Sequence, residues 1–239
     1  MFSHRRGRRR LWAVAAAVGL VLLTVDVVLA GAFREFDSAV SAAVVANSDA
    51  TWRAVLAPLT YLGQRGYVVV PLIAVTLLTM WRTRSSRPLT VAVGTMLVTA
   101  AIVGAMKLGF GRTAPSSGED LFGSGALSYP SGHAVNTVII WTLVLRMLVG
   151  LYGRQLRLLR RSLPRVVLVA VVAVANAASM VGMNYHWLSD VVAGWLIGVT
   201  IALLAPSPLP HGYSQPEPAE NAESATEFPL GPGRRVPSA

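Results

Sequence analysis

Cysteine is absent from this sequence, which excludes disulfides, thiolate nucleophiles and thiolate metal sites and leaves the redox compartment unconstrained. Charge is scarce: 13% of the residues are Asp, Glu, Lys or Arg, against about 25% in soluble domains. Lysine occurs once, at Lys107, so the 21 basic residues are otherwise arginine. Histidine occurs four times, and His4 and His211 lie in the terminal segments. Any imidazole chemistry in the body of the chain therefore falls to His133 and His186.

What is abundant is apolar sequence, 54% of the residues. Apolar runs approach or exceed the about 20 residues that cross a bilayer, and they recur along the chain. The expected fold is all-α, a polytopic bundle of six spans at Leu11–Gly31, Tyr67–Trp81, Leu89–Lys107, Ala134–Tyr152, Val166–Tyr185 and Leu188–Ala205. The second is short as drawn and is expected to start within Ala54–Gly66. A basic segment (1–10) precedes the membrane domain (11–205), and a Pro-, Gly-, Ser- and Glu-rich tail (206–239), expected to be disordered, follows it.

The formal charge of +10 is not spread like that of a nucleic-acid binder. Arginines cluster before the first span, at Arg82, Arg84 and Arg87, and between Arg154 and Arg165, that is, in alternate loops. The positive-inside rule makes these segments cytoplasmic, with both termini, and places Ala32–Gly66, Leu108–His133 and the turn at His186 on the outer face of the cell membrane. The first span also resembles a signal peptide. It is long for one, and removing it would break the alternation.

Three segments carry candidate chemistry, all on that outer side. Lys107-Leu-Gly-Phe-Gly-Arg112-Thr-Ala-Pro115 leaves the third span with two cations separated by glycines. A point charge and a planar fork suit a phosphoryl group, although two cations at a helix end also snorkel to the interface. Tyr129-Pro-Ser131-Gly132-His133 opens the fourth span, where Ser131 or a neighbour can cap the helix and Gly132 can turn its N–H toward an anion. His133, in the first turn, can pass a proton to a leaving oxygen; an ordinary cap with an interfacial histidine has the same sequence. His186-Trp-Leu-Ser-Asp190 places imidazole and carboxylate four residues apart, on one face of a helical turn. Such a carboxylate fixes the tautomer and leaves the other ring nitrogen as a nucleophile, or it simply ties helix ends together.

Together the three segments resemble the PAP2 (type 2 phosphatidic acid phosphatase) superfamily over about Gly104–Gly194. That superfamily includes polyprenyl diphosphate phosphatases and the vanadium haloperoxidases. The resemblance implies metal-independent hydrolysis, with no cofactor, of a lipid phosphate or diphosphate at the outer membrane face. His186 would form a phosphohistidine, oriented by Asp190, and His133 would act as acid and then base. Lys107, Arg112, Ser131 and the Gly132 N–H would hold the phosphoryl oxygens. The implied partners are the bilayer and its lipid phosphate.

Two positions depart from the family pattern. Arginine is usual seven residues after the lysine and six before the second histidine, where this chain has Ala114 and Met180. Each missing donor is worth about 2.7–4 kcal/mol of transition-state stabilisation at comparable sites. The alternative to an enzyme is therefore a weak or inactive relative that binds anionic lipid, unless Arg112, or Arg53 and Arg65 folded inward, compensates. Asp26 is expected to be structural, Arg146 to snorkel, Trp141, Trp187 and Trp195 to pack, and Glu119 and Asp120 to lie in a solvated loop.

Overall fold

The computed structural model describes residues 2–213, with side chains from residue 7 onward. Eight α-helices follow in order: α1 (Phe2–Val28), α2 (Ala32–Asn47), α3 (Ala50–Leu56), α4 (Arg65–Thr83), α5 (Arg87–Phe110), α6 (Gly132–Tyr152), α7 (Ser162–Gly182) and α8 (Leu188–Leu204). No strand occurs among the described residues. The expected six spans correspond to α1 and α4 to α8. Five helical segments are long and apolar enough to cross a membrane, and α8, at 17 residues, falls short of them. The chain is a multi-pass membrane protein.

Local chemistry sets the helix ends. Pro88 in the first turn of α5 needs no N–H donor there. Gly111, just past α5 at φ 55°, takes the left-handed conformation that lets its N–H close on the Lys107 carbonyl. α6 is the axis of the bundle: two thirds (67%) of its span is buried, against 22–33% for the other four. α8 lies against it through Gly194 and Gly198. A Cβ at Gly194 would come within 2.7 Å of both Ala134 Cβ and the Ser131 carbonyl, and one at Gly198 within 2.8 Å of Val138 Cβ. This small-residue approach, common where packing rather than hydrophobicity joins membrane helices, brings the start of α6 against the start of α8.

Two features differ from the sequence expectation. The segment 32–62, given no helix in the sequence reading, forms α2, α3 and a 3-10 turn, Ala57–Leu62. In α2 the exposed Phe33, Phe36 and Val45 contrast with buried Asp37, so one face turns inward around a carboxylate. Residues 206–213 pack back on the arginine-rich end, with Pro208 buried and the Ser207 carbonyl accepting from Arg87 Nε at 3.0 Å. The rest of the tail expected to be disordered lies outside the described residues.

Candidate active site

The turn between α7 and α8 fixes His186. Met180 O accepts from both the Tyr185 and His186 amides, at 3.0 and 3.1 Å. Asn184 supplies the left-handed residue of the turn, at φ 58°, and its Oδ1 accepts from Ser41 on α2 at 2.9 Å. Asp190, in the first turn of α8, is fully buried. Its Oδ2 accepts from Ser128 Oγ at 2.5 Å, from His186 Nδ1 at 3.2 Å and from the Trp187 amide at 3.2 Å. Ser128 Oγ also lies 3.2 Å from Nδ1. An ionised carboxylate only accepts, so this arrangement places the imidazole proton on Nδ1 and leaves Nε2 with its lone pair.

α6 begins beside this turn. Ser131 caps it, its Oγ accepting from the Ala134 amide at 3.4 Å, while its own amide donates to the Asp190 carbonyl at 2.9 Å. The Gly132 and His133 amides belong to the first turn, whose N–H groups have no partner within the helix. A Cβ at Gly132 would meet nothing within 4 Å, so open space lies over this helix end. His133 stands across that end from His186, with ring centroids 6.4 Å apart. Tyr129 pins the segment from behind, bonded to Thr24 Oγ1 on α1 at 2.6 Å. Burial, only partly offset by that bond, pushes its phenol up to about 12. Lys107, at the end of α5, donates to the Leu127 carbonyl and to that of Ser128 at 3.4 Å. It lies within electrostatic reach of Asp190 and His133. An ammonium has three donors, so one remains.

Arg112 occupies a different place from the one expected. Its side chain is fully buried. All five N–H groups of its guanidinium are engaged: Nε with Asp120 at 2.8 Å, Nη1 with Ser189 at 2.7 Å and Asp190 Oδ1 at 2.8 Å, Nη2 with Asp37 and Asp120 at 2.8 Å each. Trp187 and Phe122 cover it, their ring centroids 5.1 and 5.4 Å from Cζ. With no N–H left over, the anion contact expected of Arg112 is not available. Asp120 is not in a solvated loop either: it joins Arg112 to Arg34, whose Nε is 2.9 Å away. Glu119 is exposed, as expected of a loop residue. Burial pushes the Asp120 carboxyl up, but the bonds and charges of Arg112 and then Arg34 outweigh it and hold it below the usual carboxylate range. Burial dominates at Asp37 and raises it, the Ser189 and Arg112 bonds offsetting only part.

The structure thus brings Lys107, Ser131, Gly132, His133, His186 and Asp190 to one end of the bundle. Arg53 and Arg65 are exposed, and neither bonds to a site residue among the described residues. Met180 is buried against Ala134, Ala177 and Val191, so the position of the second missing arginine is filled with an apolar side chain. Asp26 is structural, accepting from the Phe33 amide at the start of α2 at 2.9 Å. Arg146 turns inward to the Ala202 carbonyl, at 2.6 Å. Sequence reasoning missed Asp37, Ser128 and Ser189. Asp37 lies 152 residues from Ser189, beyond the reach of any local pattern. Ser128 stands two residues outside the Pro-Ser-Gly-His tetrad.

Comparison with known proteins gives two matches. The family model described as the PAP2 superfamily matches residues 88–209, just over half of the chain. The fold is similar to that in the crystal structure of a transmembrane PAP2-type phosphatidylglycerolphosphate phosphatase from Bacillus subtilis. The TM-score is 0.66 at 18% identity, over 81% of this chain and 93% of that one. No curated protein sequence matches.

Proposed function

This chain belongs to the PAP2 superfamily, and on that premise we propose that it is a lipid phosphatase working through His186. His186 Nε2 attacks phosphorus in line and the bond to the lipid oxygen breaks. His133, protonated, gives that oxygen its proton. Water then attacks the phosphohistidine, loses its proton to His133, and releases phosphate from His186. Asp190 holds the Nδ1 proton and stabilises the positive charge that the ring gains as its P–N bond forms. Lys107, Ser131 and the Gly132 N–H hold the phosphoryl oxygens; positioning and charge do most of such work. The roles of the named residues rest on the family resemblance. The observation that carries the reading is the pairing of two imidazoles, 6.4 Å apart, one of them oriented by a buried carboxylate.

The arginine distribution supports an outward-facing site at the cell membrane with both termini cytoplasmic. The substrate is then a lipid phosphate or diphosphate presented at the outer leaflet. A polyprenyl phosphate or diphosphate is the first choice, and a phosphatidate or a phosphatidylglycerol phosphate the second. A second reading has specific support. With Ala114, Met180 and a fully engaged Arg112, the anion faces few cations, as in a non-catalytic protein that binds anionic lipid. Purified protein in lipid vesicles, given a panel of lipid phosphates in the presence of a chelator, separates them. Phosphate release that His186→Ala abolishes is expected. Binding of the panel without release from any member establishes the second reading instead.

A further inference from the structure

We infer that Asp37 of α2 is a positioning residue for His186, acting through Arg112, Ser189 and Asp190; the inference rests on the role of His186 proposed above. Asp37 lies outside the residues matched by the family and is fully buried. Its two oxygens do separate things. Oδ1 accepts from the Ser189 amide at 2.8 Å, capping the first turn of α8 from another helix. Oδ2 accepts from Arg112 Nη2 at 2.8 Å and from the Ser189 hydroxyl. A negative charge at that helix N-terminus is favourable, and the residue it steadies is the immediate neighbour of Asp190.

The second route runs through the guanidinium. Arg112 reaches Asp190 Oδ1 with Nη1 and Asp37 with Nη2, both at 2.8 Å. A planar fork held on one side by Asp37 and Asp120 can meet Asp190 at one place only. That contact in turn sets the rotamer in which Oδ2 faces His186 Nδ1. Loss of the Asp37 charge frees one edge of the fork and loosens the start of α8 together. Asp190 then follows Arg112 rather than the imidazole, and the proton is no longer confined to Nδ1. A residue that merely stabilised the fold would leave the tautomer of the folded protein unchanged.

The test uses the full chain in vesicles with the lipid phosphate that wild type hydrolyses best, and Asp37→Asn beside wild type. Asp49→Asn, at the α3 cap and without a bond to this cluster, is the control. Asp37→Asn is expected to lower kcat by about ten- to a hundredfold, the scale of losing a partner that orients a metal-bound histidine, with KM within about twofold. Histidine 15N spectra provide the second readout: the His186 signals should move from an Nδ1–H pattern to a mixture, while those of His133 stay in place. Should Asp37→Asn fail to fold, Ser189→Ala, which removes one partner of both Asp37 and Arg112, carries the same comparison. Kinetics and spectra equal to wild type in a folded variant overturn the inference. Should wild type release no phosphate, the spectra alone decide: a changed tautomer upholds the coupling and fails only the phosphatase reading, whereas an unchanged one overturns it.

Discussion

The two sides of His186 are furnished unequally. Beneath it, three carboxylates, two arginines and two serines close a network with Arg112 at its centre. Above it, toward the space where an anion would sit, stand Lys107, the Ser131 cap and the amides of one helix end, while Ala114 and Met180 bring no charge there. A buried ion cluster of this kind is weak evidence for stability, because desolvation takes back most of the Coulombic gain. It does fix geometry. If His186 is the nucleophile proposed above, charge here serves to orient it more than to hold the anion, so orientation and anion binding can be perturbed separately.

The largest effect is expected where the two sides meet. Arg112→Ala leaves three carboxylates facing one another in a buried site; breaking such pairs typically costs about 3–5 kcal/mol. Thermal unfolding should drop accordingly and turnover should vanish. An Arg112→Ala protein as stable as wild type would show that the ion cluster does not hold this end of the bundle together. Next comes the sparse side. Lys107→Ala should lower kcat/KM by about a hundredfold or more, the scale of one lost oxyanion donor. A small effect would mean that another cation serves the anion. Ala114→Arg, which restores a donor, should raise kcat/KM by about tenfold, part of a donor's full worth. No gain there would show that the anion does not approach that segment.

The smallest effect is in pH. The Asp120 carboxyl is held below its ordinary range by Arg112 and Arg34, despite burial. Its contribution is thus present above the unfolded-state value of about 3.9 and is lost as pH falls below it. Asp37, raised by burial, runs the other way. Asp120→Asn should therefore be less stable than wild type at neutral pH, by about 1 kcal/mol, with the gap closing in acid. A gap that does not change with pH contradicts the assignment.

Much of the sparse side was legible in the sequence and little of the dense one. Pro130-Ser131-Gly132-His133 and His186…Asp190 are local patterns, and their placement at helix starts follows from apolar runs ending there. The ion cluster around Arg112 is not legible, because a cation among glycines at a helix end looks like an anion donor until its partners are known. Those partners are distant in sequence: Asp37 stands 75 residues before it and Asp190 78 after. The charge balance gives no hint either: Glu35, Asp37, Asp49, Glu119 and Asp120 share the two outer segments with Arg34, Arg53, Arg65 and Arg112, so nothing local singles out which cation is buried with which carboxylate. α2 escaped because a 16-residue helix with one buried acid resembles a polar connection.

On the proposed mechanism, the well-held His186 turns over a lipid phosphate despite the thin cation shell above it. The direct measurement is an alkaline quench of the protein during turnover of its best lipid phosphate, followed by mass spectrometry of the peptides. Phosphate on His186 in wild type, and on no histidine in His186→Ala, is the predicted result. Turnover with His186 never phosphorylated, or a phosphate carried on His133, would contradict it.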